Sequence, residues 1–140
     1  MKKKRIMIPV LILLFILGTW YYTPKRFLSG VSSTDVGSIE VFNGSTGNSF
    51  TVTKPSQIAN IVENIRSVDM KKEKLSSGYD GFVYNLTFKN TDGKTIDSLI
   101  INSEYIIRDD PFFYCSSRAL CFDYLQELEE ELCSADEGNG

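Results

Sequence analysis

An almost uninterrupted apolar run near the N-terminus constrains this chain more than any other feature. Residues 6–22 are nearly all apolar, and they follow the basic residues of segment 1–5, Lys2, Lys3, Lys4 and Arg5. The run is at the short end of the ~17 to 25 residues with which a helix crosses the hydrocarbon layer of a bilayer. Its last residues, Trp20, Tyr21 and Tyr22, suit the headgroup boundary. The pattern predicts a transmembrane helix or uncleaved signal anchor over residues 6–22.

The flanking charges predict the orientation of this helix. Basic residues stay on the cytoplasmic side, so segment 1–5 is expected to be cytoplasmic and the rest extracytoplasmic, although Lys25 and Arg26 reduce the contrast. A cleaved secretory signal is the alternative, because it needs only ~7 to 15 apolar residues. We favour a retained anchor because bulky aromatic residues occupy the place of a small-residue cleavage site. No cysteine before Cys115 could carry a lipid.

The remainder of the chain is acidic. Six of the 15 basic residues lie in the first 26 positions, and all 18 acidic residues come later, so the part from Phe27 onward carries a net charge of −9. Such a surface repels nucleic acid phosphates, and we expect no nucleic-acid partner. The expected location is the cell membrane, as a single-pass protein with its C-terminal domain extracytoplasmic.

Composition divides the chain after the apolar run. Residues 23–35 are rich in Ser and Gly and are predicted to be a tether. Residues 36–133 are enough for one small domain with a single core, and too few for two. Residues 134–140 end in Gly-Asn-Gly and are predicted to be a flexible tail.

Alternation of apolar and polar side chains predicts strands in this domain. Two short runs flank the turn residues 43–48, which predicts a hairpin, and lysines in residues 68–75 are typical of an edge strand. The clearest strand has Phe82, Tyr84, Leu86 and Phe88 on one face. The predicted strands cover residues 39–42, 50–53, 68–75, 82–88, 96–101, 105–107 and 112–114.

Two helices are predicted from apolar residues that recur at three- and four-residue spacing. The first contains Ile58, Ile61, Val62 and Ile65, with Thr53 as a candidate cap, and the second contains Cys121, Leu125, Leu128 and Leu132. Elements in the order β-β-α-β-β-β-β-β-α follow the anchor. The predicted fold class is α+β: an N-terminal transmembrane helix followed by one small domain of antiparallel sheet packed with two helices.

Three cysteines raise the question of a disulfide outside the membrane. Cys121 and Cys133 are twelve positions apart on one predicted helix, about 18 Å, which is too far for a bond. A bond between Cys115 at the end of a strand and Cys121 at the start of a helix is geometrically allowed. Cys121 also lies on the apolar stripe of its helix, where a thiol usually packs as a small hydrophobic group.

The absence of histidine excludes most hydrolytic machinery. A Ser-His or Cys-His pair and a histidine metal site are impossible in a chain with no histidine. Carboxylates remain, with Asp109 and Asp110 in one cluster and the glutamates of residues 127–131 in another, but turn chemistry and a solvated helix face explain both. We expect no catalytic residue, no cofactor and no specific metal site.

The order of elements resembles a known class of small domains. The segments 39–44, 50–53, 58–65, 84–88 and 112–114, followed by a leucine-rich helix, are similar to extracytoplasmic domains of unknown function in Gram-positive bacteria. Those domains follow a lipoprotein signal or a single anchor helix. The resemblance covers residues 36–132 and implies a bacterial surface location and an α+β fold. It transfers no catalytic residue, and this chain lacks a lipid-bearing cysteine.

Two classes of function follow from these features. The first is a membrane-tethered, non-catalytic module that binds or regulates a protein, peptide or envelope component, through an edge strand at residues 68–75 or an aromatic surface. That surface would consist of Tyr105, Phe112, Phe113 and Tyr114. The alternatives are an envelope enzyme that uses carboxylates alone and an immunity or inhibitor protein.

Overall fold

The computed structural model describes the backbone of residues 2–137 and the side-chain environments of residues 5–135. It contains three α-helices, one 3-10 helix (Ser33–Asp35) and seven strands. In chain order they are α1 (Lys2–Tyr22), β1 (Ser38–Asn43), β2 (Ser49–Val52), α2 (Pro55–Arg66), β3 (Met70–Leu75), β4 (Tyr84–Lys89), β5 (Thr95–Ser103), β6 (Ile106–Asp109), β7 (Phe112–Ser116) and α3 (Phe122–Glu137). The α+β class and the predicted order of elements after the N-terminal helix are confirmed.

Helix α1 stands apart from the core. Its stretch Arg5–Tyr22 is long and apolar enough to cross a membrane, and none of that stretch is buried in the protein. A secretory signal sequence has the same length and composition. The helix begins at Lys2, so the basic residues that precede the apolar run are helical too.

All strands join in one antiparallel sheet of order β2-β1-β4-β5-β6-β7-β3. Three hairpins, β1-β2, β4-β5 and β6-β7, connect neighbouring strands, and the first forms at the predicted turn 43–48. Gly93 adopts a φ of 80° in the turn of the second hairpin, a conformation that glycine adopts without steric cost. Strand β3 is at one edge and β2 at the other, so the prediction that residues 68–75 contain an edge strand is confirmed.

The core lies on one face of this sheet. Residues 84, 86 and 88 of β4 point inward, and the register sets Ile39 opposite Phe88 and Val41 opposite Leu86. Alternation sends Asn85 and Thr87 to the other, solvent-accessible face. Inward strand residues and the two domain helices form a single buried cluster.

Helix α2 uses the predicted stripe to cover this face. Its buried residues are Ile58, Ile61, Val62 and Ile65. The predicted cap is wrong: Lys54 occupies the N-cap position without a side-chain hydrogen bond, and Pro55 is the first helical residue. Proline has no N–H at a position where that N–H would lack an intrahelical partner, so the helix starts well without the Thr53 side chain.

The predicted tether is largely folded into the domain. Phe27 and Leu28 are buried in the core, and the Phe27 ring contacts Tyr114 edge to face at 5.3 Å. Lys25 forms a backbone bridge with Met70 at the start of β3, with N···O distances of 2.7 and 2.9 Å. Burial of the apolar side chains of residues 27 and 28 stabilises the segment against the domain. The Ser- and Gly-rich composition of the segment did not indicate this burial. Only Thr23 and Pro24 therefore separate α1 from residues that pair with the domain.

The C-terminal end also differs from its prediction. Helix α3 continues to Glu137, so residues 134–137 of the predicted flexible tail are helical. The last three residues of that predicted tail, 138–140, lie outside the described residues. The apolar stripe of α3 is confirmed for Leu125 and Leu128, which are buried, and Leu132, which packs against the core; the buried Cys121 immediately precedes the helix.

Phe27→Ala tests whether residues 23–35 belong to the domain. Because the change removes a buried ring, we expect the free energy of unfolding to fall by about 3 kcal/mol. Chemical denaturation of the full chain in detergent micelles measures this loss. Ser29→Ala, an exposed change in the same segment, should alter it by less than about 0.5 kcal/mol. Equal stability of the two variants would show that the segment is a free linker.

Candidate functional site

A polar depression of about 530 Å³ opens where α3 crosses the ends of β1 and β4. Its lining residues are Asn43, Thr46, Asn48, Tyr84, Gln126, Glu129, Glu130, Cys133 and Ser134. Asn43 ends β1, residues 46 and 48 belong to the β1-β2 turn, and Tyr84 begins β4. At its base is Glu129 of α3, which is only 8% exposed.

The Glu129 carboxylate accepts four hydrogen bonds. Asn43 Nδ2 and the Tyr84 hydroxyl each donate to Oε2 at 2.8 Å. The Thr46 hydroxyl and Asn48 Nδ2 each donate to Oε1 at 2.9 Å. The group of five side chains, Asn43, Thr46, Asn48, Tyr84 and Glu129, is called the Glu129 network below.

The turn is built to present these donors. Asn43 Oδ1 accepts the backbone N–H groups of Ser45 and Thr46 at 2.8 and 3.3 Å, which orients Asn43 Nδ2 toward the carboxylate. Gly47 takes a φ of 81° to close the turn. An asparagine that bonds backbone groups two or three residues ahead is a common way to stabilise such a turn.

Hydrogen bonding keeps Glu129 ionised despite its burial. Burial by itself raises the pKa of this carboxyl, but the bonds from Asn43, Tyr84, Asn48 and Thr46 outweigh that effect, and the net pKa is lower than its ordinary 4.5. Burial and the neighbouring carboxylate raise the pKa of Tyr84. The tyrosine is therefore a firm hydrogen-bond donor at neutral pH.

This arrangement suits structure better than catalysis. Each carboxylate oxygen already accepts two bonds, and a lowered pKa is the opposite of what a general acid needs. No salt bridge in the described part of the chain involves Glu129. No group of three or more Cys, Asp or Glu side chains among the described residues could hold a metal ion. The Glu129 network thus fastens α3 to the β1-β2 turn and β4.

The acidic run at residues 127–131 predicts a solvated helix face, but the Glu129 side chain is buried. A signal for its burial exists, because Glu129 follows the buried Leu125 by four positions and is next to Leu128. Its strand partners carry a similar signal, since Asn43 continues the inward alternation of Ile39 and Val41. Polar residues at inward positions on both elements indicate a buried polar network.

The carboxylates of Asp109 and Asp110 form ion pairs with basic side chains. Lys25 forms an ion pair with Asp109. Arg108 donates to both oxygens of Asp110 at 2.8 and 3.2 Å, and the Ser76 hydroxyl also donates to this carboxylate. The bond from Arg108, followed by the bond from Ser76, lowers the pKa of Asp110. Neighbours in sequence, the two aspartates have separate partners and do not form an acid and base pair.

The structure does not join the two cysteines predicted to pair. Cys115 and Cys121 are both thiols. Tyr114 of β7 is in the core, so alternation places Cys115 on the opposite face of the sheet, whereas Cys121 is part of the core. Burial raises the pKa of Cys121 to about 12. This thiol packs as a hydrophobic group and is a poor nucleophile.

The predicted aromatic surface is mostly interior. Phe113 and Tyr114 are buried, and Phe112 is half-buried against Tyr21 and Tyr114. Only Tyr105 is exposed, so the four rings do not form one outward surface. Neighbouring residues of β7 alternate between the two faces of the sheet. On one face the Phe27 ring packs on Tyr114, and on the other the Tyr79 ring packs on Phe113.

The two sheet edges differ in how far they are open. Lys25 pairs with the start of β3, and the end of α1 lies beside the same strand, so this edge is partly covered. The outer side of β2 pairs with no strand in residues 2–137. Ser49 and Thr51 of β2 are exposed, and alternate backbone groups of an edge strand point away from the sheet. The edge prediction fits β3 by position, but β2 is the more accessible edge.

Glu129→Leu tests the structural role of the Glu129 network. The change leaves the buried donors Asn43 and Tyr84 without their acceptor, whereas the exposed Thr46 and Asn48 can bond to water instead. We expect the free energy of unfolding to fall by about 3 kcal/mol. Denaturant titration of the full chain in micelles measures it. Glu127→Leu changes an exposed residue of the same helix and should have less than about 0.5 kcal/mol effect.

The same network predicts a dependence on pH. Because the pKa of Glu129 is lower in the folded state, its ionisation stabilises the protein above pH 4.5, and this contribution is lost as pH falls through the lower, folded value. Glu129→Gln has no charge to lose, so its stability should decline less than that of the natural chain on acidification. Parallel declines would contradict the hydrogen-bonded, ionised form.

No protein-family model, no curated protein and no solved structure matches this chain.

Proposed function

We propose that this chain is a single-pass membrane protein whose extracytoplasmic domain is a non-catalytic binding module, with β2 as the edge that accepts a protein or peptide strand. The observation that carries the proposal is the position of α1. This helix is apolar and unburied, and a connection of only two residues joins it to the domain. A soluble protein would expose this helix to water at a large hydrophobic cost. A bilayer removes that cost.

The route into the membrane follows from the charges. The basic segment 1–5 remains in the cytoplasm, residues 6–22 span the bilayer, and the acidic domain is outside. The missing cleavage residues favour retention over release as a mature soluble protein. The resemblance to extracytoplasmic domains of Gram-positive bacteria agrees with this location and remains a prediction.

Strand β2 is the part of the domain best suited to bind a partner. It is six inter-strand spacings from β3, about 29 Å across the sheet. The β2 edge is therefore remote from the end of α1. A partner from outside the cell can reach this edge. An extended peptide added there would hydrogen-bond the outward backbone groups of Ser49 and Thr51, which is a common mode of peptide recognition.

The chemistry of the carboxylates supports a non-catalytic role over the enzyme alternative. Asp109 and Asp110 are each bound to a cation, and the Glu129 carboxylate is saturated with hydrogen bonds. A glycan-cleaving pair needs one carboxyl that holds its proton near neutral pH, and the lowered pKa values of Asp110 and Glu129 work against that. An immunity or inhibitor protein is a special case of the binding module, with a toxin or enzyme as its partner.

The proposed topology is tested by Asp92→Cys, in the exposed turn between β4 and β5. A membrane-impermeant maleimide added to intact cells should label this variant more strongly than the natural chain, because residue 92 is outside. Lys3→Cys, in the basic segment, should exceed the labelling of the natural chain only after lysis. The reverse pattern, or labelling of Asp92→Cys only after lysis, would overturn the topology.

The binding edge is tested with a photo-crosslinking amino acid at residue 49 in living cells. We expect a discrete adduct that is absent when the same amino acid replaces Asp92. Adding Thr51→Pro should abolish the adduct, because proline removes an N–H from the edge and blocks an added strand. Thr51→Val, which keeps the N–H, should retain it. Absence of any adduct at residue 49, or its persistence with Thr51→Pro, would contradict strand addition.

A further inference from the structure

A basic surface borders the end of α1 in an otherwise acidic domain. Strand β3 contains Lys71, Lys72 and Lys74, which are three of the nine basic residues from Phe27 onward. The register sets Lys71 and Lys74 on one face of the strand and Lys72 on the other. No salt bridge within residues 5–135 uses any of these lysines.

Nearby acidic residues do not cancel this charge. Asp69 is bound to Arg26, and Asp109 is bound to Lys25. Glu73 is the one acid within β3. With these pairs and Glu73 included, the β3 edge keeps a net charge of +2, whereas the domain as a whole is strongly negative.

Direct contacts join this edge to the end of α1. Lys72 Nζ lies 3.4 Å from the centre of the Trp20 ring and donates to the Trp20 carbonyl oxygen at 3.3 Å. The Tyr21 ring contacts the Phe112 ring at 6.4 Å between centres, and Phe112 is paired with Leu75 of β3. Because Trp20 and Tyr21 are the residues of α1 that suit the headgroup layer, these contacts bring β3 to the same level.

Exposed apolar side chains complete the surface. Leu75 is 63% exposed, and Tyr79 in the following turn is 51% exposed. Lysines next to exposed Leu and Tyr are the composition with which peripheral segments bind bilayer surfaces, since the ammonium groups meet phosphates and the apolar groups enter the headgroup boundary.

We infer that the β3 edge is a lipid-binding surface, which holds the domain against the outer leaflet by contacts of Lys71, Lys72 and Lys74 with lipid phosphates and by insertion of Leu75. The inference rests on the anchoring of α1 proposed above and adds an orientation to it. A domain on a free tether would tumble above the bilayer. Here the sheet instead stands on its β3 edge, with β2 as the edge farthest from the membrane.

The experiment reports the depth of residue 75 in the full chain. In a Trp20→Phe background, Leu75→Trp makes residue 75 the sole tryptophan, and the chain is reconstituted into nanodiscs that contain brominated phosphatidylcholine. We expect strong quenching by the bromine atoms, and stronger quenching when phosphatidylglycerol is included. Ser49→Trp in the same background, at the β2 edge, is the matched control and should remain unquenched.

Charge variants then identify the lysines as the cause. Each lysine near an anionic surface contributes to the free energy of binding to that surface. Neutralising two of them, with Lys71→Gln and Lys74→Gln, should therefore lower the ratio of docked to undocked domain about 30-fold. Quenching of Leu75→Trp should fall accordingly, and added salt should weaken it in the unmodified edge. Lys94→Gln, in the β4-β5 turn, should leave quenching unchanged.

The outcomes separate this inference from the proposed function. Leu75→Trp that is quenched no more than Ser49→Trp, in chains that remain in the nanodiscs, would overturn the lipid-binding surface and leave the anchor intact. Quenching that is unaffected by Lys71→Gln with Lys74→Gln would overturn the role of the lysines. A chain that does not enter nanodiscs at all would overturn both the anchor and the surface.

Discussion

The burial of Phe27 and Leu28 in the domain core determines how the two parts of this protein are related. These residues follow α1 so closely that the apolar helix cannot move far from the sheet, and the Lys25 bridge to Met70 joins the same segment to β3. Removing apolar side chains from water is the main stabilising term in a small domain. Here it also connects a helix of membrane length directly to a folded edge, so that the proposed partner edge and lipid-binding edge lie at opposite ends of one sheet.

A second constraint is the buried carboxylate of Glu129. An ionised group away from water is costly unless hydrogen bonds replace its hydration, and four neutral donors do so here. The donors come from β1, the β1-β2 turn and β4, whereas the acceptor comes from α3. The network therefore specifies how α3 crosses the sheet, in addition to the less directional packing of its leucines. Its location next to the proposed partner edge gives that edge a rigid support.

The local pattern of apolar and polar residues was sufficient to predict most of the fold, but it was insufficient to predict the sites. Alternation along β4 and the stripe of α2 were readable because each inward residue is apolar and each element is covered on one side only. Cys115 and Cys121 are kept apart by strand alternation, which places Cys115 on the face opposite the core. The burial of the predicted tether and of the predicted aromatic surface has a different cause. Each depends on which distant side chain covers a residue, as Phe27 covers Tyr114, and covering residues far apart in sequence leave no periodic signal.

The sequence by itself determined the apolar helix, the division of charge between the two ends of the chain, and the order of strands and helices, because those properties depend on composition and on periods of two and about four residues. Only the tertiary structure decided that β2 is the open edge and that β3 meets α1, since strand order across a sheet is set by packing between distant segments. It also decided that one glutamate of an acidic helix is buried while its neighbours are solvated. The helical period limits which glutamates can face the sheet, but burial of a charge requires donors that only the folded β1-β2 turn and β4 supply.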